Sequence, residues 1–364
     1  MPTGTILING DNGHGKSNLL EAMYMMAIGK STRASNERDL ITKGIVTDIS
    51  YSKISCEISE LNERIKLAIH YECIPAENMD GFTVKKYVRV NESPKRISDL
   101  IGNLNAILFT VEELDLVFGI PSYRRRYIDI LLSQIDKEYL KSLLHYQKCH
   151  IQRNSLLKSI RDGSSVISEL DFWDQQLSID GSLIMNKRIE ILNDLSIRSK
   201  PIHRLISDMN EDISCQYKSN IDISQSINIE TLHKLLLETL KINRNKDIAQ
   251  GMTSIGPHRD DITIIINNKD ASRFASRGQA RTAIFSLKYA EAQFLKIERG
   301  KEPVLLLDDV LSELDPKRQE KILQLTSNYE QSIITTAEKG SISNMILANT
   351  HLLKVHDGLI QTHD

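Results

Sequence analysis

The chain has 364 residues, 40% hydrophobic and 26% charged, with a formal net charge of −2. At roughly 150 residues per domain there is room for two or three. The charge excludes a polycation, so nucleic-acid contact must come from a local patch, and 5% aromatics with a single Trp173 weigh against base-stacking platforms.

Cys56, Cys73, Cys149 and Cys215 lie far apart without a C-x-x-C pair. No zinc site or disulfide framework follows, and reduced thiols in a cytosolic protein are expected. No apolar run reaches ~18 residues, which excludes a helical membrane span. Met1-Pro2-Thr3-Gly4 runs straight into the first strand and leaves no room for a signal peptide.

Thr5 to Asn9 reads as a short buried strand. The next eight residues, Gly10-Asp11-Asn12-Gly13-His14-Gly15-Lys16-Ser17, fit the phosphate-loop pattern G-x-x-x-x-G-K-[ST]. The glycines let backbone N–H groups turn inward around phosphate oxygens. Lys16 is placed to reach the β- and γ-phosphates, and Ser17 to ligate Mg²⁺. Asn18 to Ile28 continues as a helix capped by Gly29, and its N-terminal dipole favours a triphosphate.

Residues 46–72 alternate, with Ile49, Tyr51, Ile54, Cys56 and Ile58, then Ile65, Leu67 and Ile69. That period of two, repeated from Val84 to Val90, predicts an antiparallel meander up to about residue 110. Asn91-Glu92-Ser93-Pro94 is its turn, and Ala106 to Phe109 a buried strand. From Ser122 to about Ile160 apolar residues recur at helical spacing without Pro or Gly, which predicts one or two helices. Gly163-Ser164-Ser165 turns the chain into a second helical run, Ile167 to Met209, with Pro201 as a break or kink. Two long helices with a short turn predict an antiparallel hairpin. The segment is locally basic, and Arg124, Arg125, Lys141 and Lys148 are candidates for DNA phosphate contacts. A solvated helix face explains the same charges, and Arg124 to Arg126 cannot all face one way, so some must pair internally. Residues 218–250 read as polar helix with little periodicity.

Val304 to Leu307 is a continuous apolar run ending in Asp308-Asp309, the pattern of a buried parallel strand with carboxylates at its ligand-binding edge. Asp308 is expected to hold Mg²⁺ through water, and Asp309 to orient or deprotonate the attacking water. Before it, Ser276-Arg277-Gly278-Gln279 opens a strong helix, which Ser276 can cap. Phosphate loop, helical insertion, Ser-x-Gly-Gln helix start, Asp-bearing strand and the D-loop Ser312-Glu313-Leu314-Asp315 follow the layout of ATP-binding-cassette ATPases. In those proteins the second helix start completes the site of the opposite subunit.

The chain closely resembles the RecF family, bacterial recombination and gap-repair ATPases related to SMC proteins. The matching residues include Gly15-Lys16-Ser17-Asn18-Leu19-Leu20-Glu21-Ala22, Gly29-Lys30-Ser31 with Arg33, and Gly256-Pro257-His258-Arg259-Asp260-Asp261. Ser276 to Gln279 and Asp308 to Asp315 complete the set. The resemblance implies an α/β fold, an ABC/SMC-type P-loop ATPase head with an inserted helical lobe. It implies ATP and Mg²⁺ as cofactors, slow hydrolysis, an ATP-dependent homodimer, and binding of single- and double-stranded DNA at junctions. It also implies work with RecR and RecO to place RecA, and a link to SOS induction. Lobe boundaries of 1–120, 121–300 and 301–364 follow. Three departures stand out. Only one strand precedes the loop, so no adenine-stacking residue is assigned. Val111 stands where the family commonly has Pro, and Glu112-Glu113 sit near where transport cassettes keep a Gln. Asp309 stands where other cassettes carry Glu, and its shorter arm fits slow turnover. A transporter's nucleotide-binding subunit and a non-hydrolysing clamp stay open as alternatives.

Overall fold

The computed structural model describes residues 1–41, 50–60, 63–75, 82–223, 228–336 and 350–362. In chain order come β1 (Gly4–Asn9), α1 (Lys16–Ile28), β2 (Ser50–Glu60), β3 (Glu63–Pro75), β4 (Phe82–Val90), β5 (Ser93–Lys95), α2 (Ile97–Leu100), β6 (Ala106–Thr110), α3 (Asp115–Phe118) and α4 (Pro121–Ile135). Then follow α5 (Lys137–Arg161), α6 (Leu170–Ile206), β7 (Ile213–Lys218), α7 (Ile229–Ile242), α8 (Arg244–Gln250), β8 (Asp261–Ile266), β9 (Lys269–Asp270), α9 (Ala271–Phe274) and α10 (Arg277–Arg299). The chain closes with β10 (Val304–Asp308), α11 (Pro316–Thr326), β11 (Gln331–Thr336), β12 (Thr350–His356) and β13 (Leu359–Thr362). It divides into two compact units, residues 1–112 with 295–364, and residues 113–294.

The first unit is built on a six-stranded sheet in the order β13-β12-β1-β11-β10-β6. All its pairings are parallel except β12 with β13. The three central apolar runs, Ile6 to Ile8, Leu305 to Leu307 and Ile333 to Ile334, are almost wholly buried, as strands covered on both faces must be. A separate antiparallel sheet, β2-β3-β4-β5, buries Leu67, Ile69, Tyr71 and Val88 in one cluster with Met25 and Met26 of α1. Ile49, expected in the first strand of this meander, lies outside the described residues. The turn after β4 is tighter than the four residues expected. Asn91 and Glu92 alone make it, both at positive φ, and Ser93 and Pro94 already belong to β5.

The second unit is the helical insertion with a small sheet, β7-β8-β9. The basic helical run is broken after Ile135 because the Asp136 side chain accepts from the N–H groups of Glu138 and Tyr139 and starts a new helix. Helices α5 and α6 are antiparallel. Arg153 meets Asp174, His145 meets Asp180 and Tyr139 meets Arg188, so the numbers rise along one helix as they fall along the other. Pro201, expected as a break or kink, sits inside α6 and does not end it. The carbonyl it leaves unpaired is that of Ile197, a residue 73% exposed, where water can serve as donor. Helix α7 also corrects the sequence reading. It is amphipathic, with Leu232, Leu236 and Leu240 buried on one stripe that packs on α6. Among the described residues all four cysteines are free thiols, and no helix is long and apolar enough to cross a membrane.

Candidate functional site

β1 is a central strand, and the loop that leaves its C-terminal end is Gly10 to Gly15. β12 runs so close that a Cβ on residue 10 would sit 2.4 Å from the Val355 carbonyl oxygen, so glycine is required there. Gly15 has φ 100 and ψ 7, a left-handed conformation, and it starts α1 without any side-chain cap. The first N–H groups of α1 therefore lack a side-chain acceptor, which suits an anion. Lys16 is 7% exposed and folds over the loop, donating to the carbonyl oxygens of Gly10 (2.6 Å) and Asp11 (3.0 Å). The turn between β12 and β13 closes the loop's far side. Gly358 N–H donates to the His14 carbonyl at 3.0 Å, and Asp357 N–H to His14 Nδ1 at 3.1 Å.

Strand order brings the second half of the site here. β10 lies one strand away from β1, with β11 between them, and Asp308 ends β10 level with Thr335 of β11. Ser17 Oγ donates to Asp308 Oδ1 at 2.8 Å, across 291 residues of sequence. Thr335 Oγ1 donates to the same oxygen at 2.8 Å and accepts from the Asp309 N–H at 3.1 Å. The other oxygen of Asp308 takes a bond from Arg33 at 2.9 Å, and Arg33 also reaches Glu112 at 3.2 Å. Asp308 is thus a buried carboxylate with three donors. Asp309 follows at φ 52, the left-handed region, so the chain turns sharply at the end of β10. Ser312 Oγ donates to the Asp309 carbonyl, and Asp315 caps α11 through the Arg318 N–H, so the stretch including Glu313 and Leu314 is fixed at both ends.

The donor set suits Mg²⁺, since Ser17 and Asp308 present hard oxygens side by side. Arg33 entered the sequence reading only as a matching residue, and Thr335 not at all. A Thr-Thr pair ending an apolar strand was the available signal for Thr335.

In the second unit, Ser276 and Gln279 form a reciprocal cap at the start of α10. Gln279 N–H donates to Ser276 Oγ at 3.2 Å and Ser276 N–H to Gln279 Oε1 at 2.8 Å. Gln279 also donates to Glu211 at 2.7 Å, while Ser276 and Arg277 are exposed and Gly278 half-buried. Two DNA-contact expectations need correcting. Arg124 is buried in a two-bonded pair with Asp261 (2.8 and 2.9 Å). Arg125 donates to the Asp260 carbonyl at 2.7 Å, and burial, then the like charge of Arg188, pulls its pKa down. The Arg124 guanidinium is thus closed off from a phosphate backbone, while Arg125 is half-buried with one nitrogen engaged. Lys141 and Lys148 are exposed. The Gly256 to Asp261 run is a packing hub. A Cβ at Gly256 would strike the Tyr146 hydroxyl at 2.5 Å, Arg188 donates to the Pro257 carbonyl, and His258 Nδ1 lies 2.7 Å from that hydroxyl.

The RecF/RecN/SMC N terminal domain family matches residues 1–361. A DNA replication and repair protein RecF from Clostridium novyi is 38% identical over 361 residues, covering 99% of this chain and 94% of the relative. Its counterpart from Bacillus cytotoxicus is 37% identical over 355 residues, covering 97% and 91%. A solved structure of the recombination mediator protein RecF with ATP superposes with a TM-score of 0.86 at 30% identity, covering 100% of this chain and 92% of that one. Sequence, fold and site geometry agree that this chain belongs to the RecF family of SMC-like P-loop ATPases.

Proposed function

We propose that this chain binds and hydrolyses MgATP to control its hold on DNA during repair of gapped DNA. The observation that carries the reading is the Ser17–Asp308 contact, which unites loop and strand-end carboxylate in one site of a RecF-family chain. Backbone N–H groups of residues 13 to 17 take the phosphates, and Lys16 leaves its two carbonyl partners for the β- and γ-oxygens. Ser17 and Asp308 would hold Mg²⁺, which would supply positive charge beside the phosphoryl oxygens. Asp309 orients the attacking water. Its short arm, together with a backbone turned to positive φ, fits slow turnover. Arg33, paired with the other oxygen of Asp308, holds that carboxylate in place beside Ser17.

Ser276 to Gln279 on one copy closes over the triphosphate held by another, so ATP joins two copies and hydrolysis releases them. Lys141 and Lys148 contact DNA, single- or double-stranded, at junctions. Curated RecF relatives carry the name DNA replication and repair protein, and the solved RecF–ATP structure is assigned to the RecFOR pathway. The pathway name supports work alongside RecO and RecR; assistance to RecA loading and a part in SOS induction follow from the family resemblance alone. Lys16→Met tests the core of the reading. The variant is expected to fold and to lose ATP-dependent retention of gapped DNA; retention equal to the parent's contradicts it.

A further inference from the structure

The β2–β5 sheet has two faces of opposite character. Side chains alternate along each strand, and one face packs on α1. The other is polar and faces outward. On it Lys53, His70 and Tyr87 stand in one cross-strand row, and Ser55, Ala68 and Arg89 in the next. Tyr51 and Tyr87 flank His70 with ring centroids 5.5 and 6.1 Å away. In a chain with 5% aromatics, two tyrosines that are 67% and 44% exposed share this one face. The small residues Ser55 and Ala68 help to leave a depression of about 700 Å³.

We propose that this face binds unpaired nucleic acid, with bases stacked on Tyr51, His70 and Tyr87 and phosphates on Lys53 and Arg89. Three observations carry it. The ring row offers flat apolar surfaces at successive strand positions, the arrangement on which single-strand readers stack bases. His70 sits half-buried between the two tyrosine rings and joins them into one continuous ring surface. The acids of the depression are already neutralised, Glu57 by Arg64 (3.5 Å) and Glu92 by Lys66 (3.4 Å). Lys53 and Arg89 have no ion pair among the described residues, and Glu72 on the same face stands opposite Lys85, so the surplus charge at the rim is positive and complements a phosphate chain. Duplex DNA presents no free base faces, so stacking selects single strands.

The inference rests on the proposed DNA-binding function for its purpose, but its test does not need ATP. The full chain is titrated against labelled oligo-dT and oligo-rU of about 15 nucleotides, and against a blunt duplex, by fluorescence anisotropy. Tyr51→Ala/Tyr87→Ala is expected to weaken single-strand binding about ten- to hundredfold, while Tyr51→Phe/Tyr87→Phe keeps it and duplex affinity is unchanged. Lys53→Glu/Arg89→Glu should weaken it too and flatten its salt dependence. The tighter of the two oligomers identifies DNA or RNA as the natural source, and equal affinity means the face reads stacking alone. Unchanged single-strand binding in the alanine variant overturns the proposal, as does parallel loss on the duplex or no binding by the parent chain. Failure of the Lys16→Met experiment with this one intact would sink the ATP-coupled reading and spare the sheet.

Discussion

Thr335 joins both carboxylate positions of the site, donating to Asp308 and accepting from the Asp309 N–H. It is 1% exposed, so nothing from solvent can replace its hydroxyl. Thr335→Val keeps the shape but strands one donor and one acceptor, which costs about 1–3 kcal/mol. The urea midpoint should fall with an unchanged slope, and the Mg²⁺ concentration needed for hydrolysis should rise. A second residue sets a pH dependence. Burial lifts the Glu291 carboxyl to about 7, with Lys288 opposing and Glu113 adding to the rise. The folded state therefore holds this proton more tightly than the unfolded one. Its contribution is fully present below the ordinary value of 4.5 and is lost as pH rises through about 7. Some two to three pKa units correspond to about 3 kcal/mol. Glu291→Gln should remove that loss, read as a flatter urea midpoint between about pH 5 and 8. His258 acts in the opposite sense. Burial holds its pKa down to about 3, so its contribution is present above 6.5 and fades as pH falls toward 3.

At the scale of elements, local signals read well where their cause is local. The α1 helix, its Gly29 cap and the alternation of β2 to β4 are set by neighbours in sequence, and they appear as read. Pro201 does not end α6 because a missing backbone bond is tolerated where water reaches the carbonyl. The α7 stripe was missed because three leucines four residues apart were diluted by charged neighbours. Asp357-Gly358, a two-residue hairpin signal, was legible but unread. Helix α5 carries its own prediction. Lys141 and Lys148 are seven residues apart, two turns along one face, and both are exposed. Reversing both charges should weaken duplex binding and lower the slope of log affinity against log salt by about 2. An unchanged slope would remove this face from the DNA surface.

For the whole molecule, the strongest expectation concerns assembly. Ser276 and Arg277 are exposed at the start of α10, and the Ser276 cap is made by Gln279 alone among the described residues. Ser276→Arg should leave nucleotide binding intact and block ATP-driven pairing of two copies. Light scattering with and without ATP decides it, and an undiminished ATP-dependent dimer counts against a shared site.

The amino-acid sequence by itself determined the phosphate loop, the helix it opens and the carboxylates at the end of an apolar run, because each is a short-range pattern of residue types. It also carried the family, through the order of those patterns. Tertiary structure alone decided that β11 lies between β1 and β10, which makes Thr335 part of the site, and that Arg33 reaches Asp308. It alone withdrew Arg124 and Arg125 into ion pairing and backbone bonding. The physical reason is the same in each case. Strand order and charge pairing are settled between residues tens to hundreds of positions apart, where periodicity and spacing carry no signal.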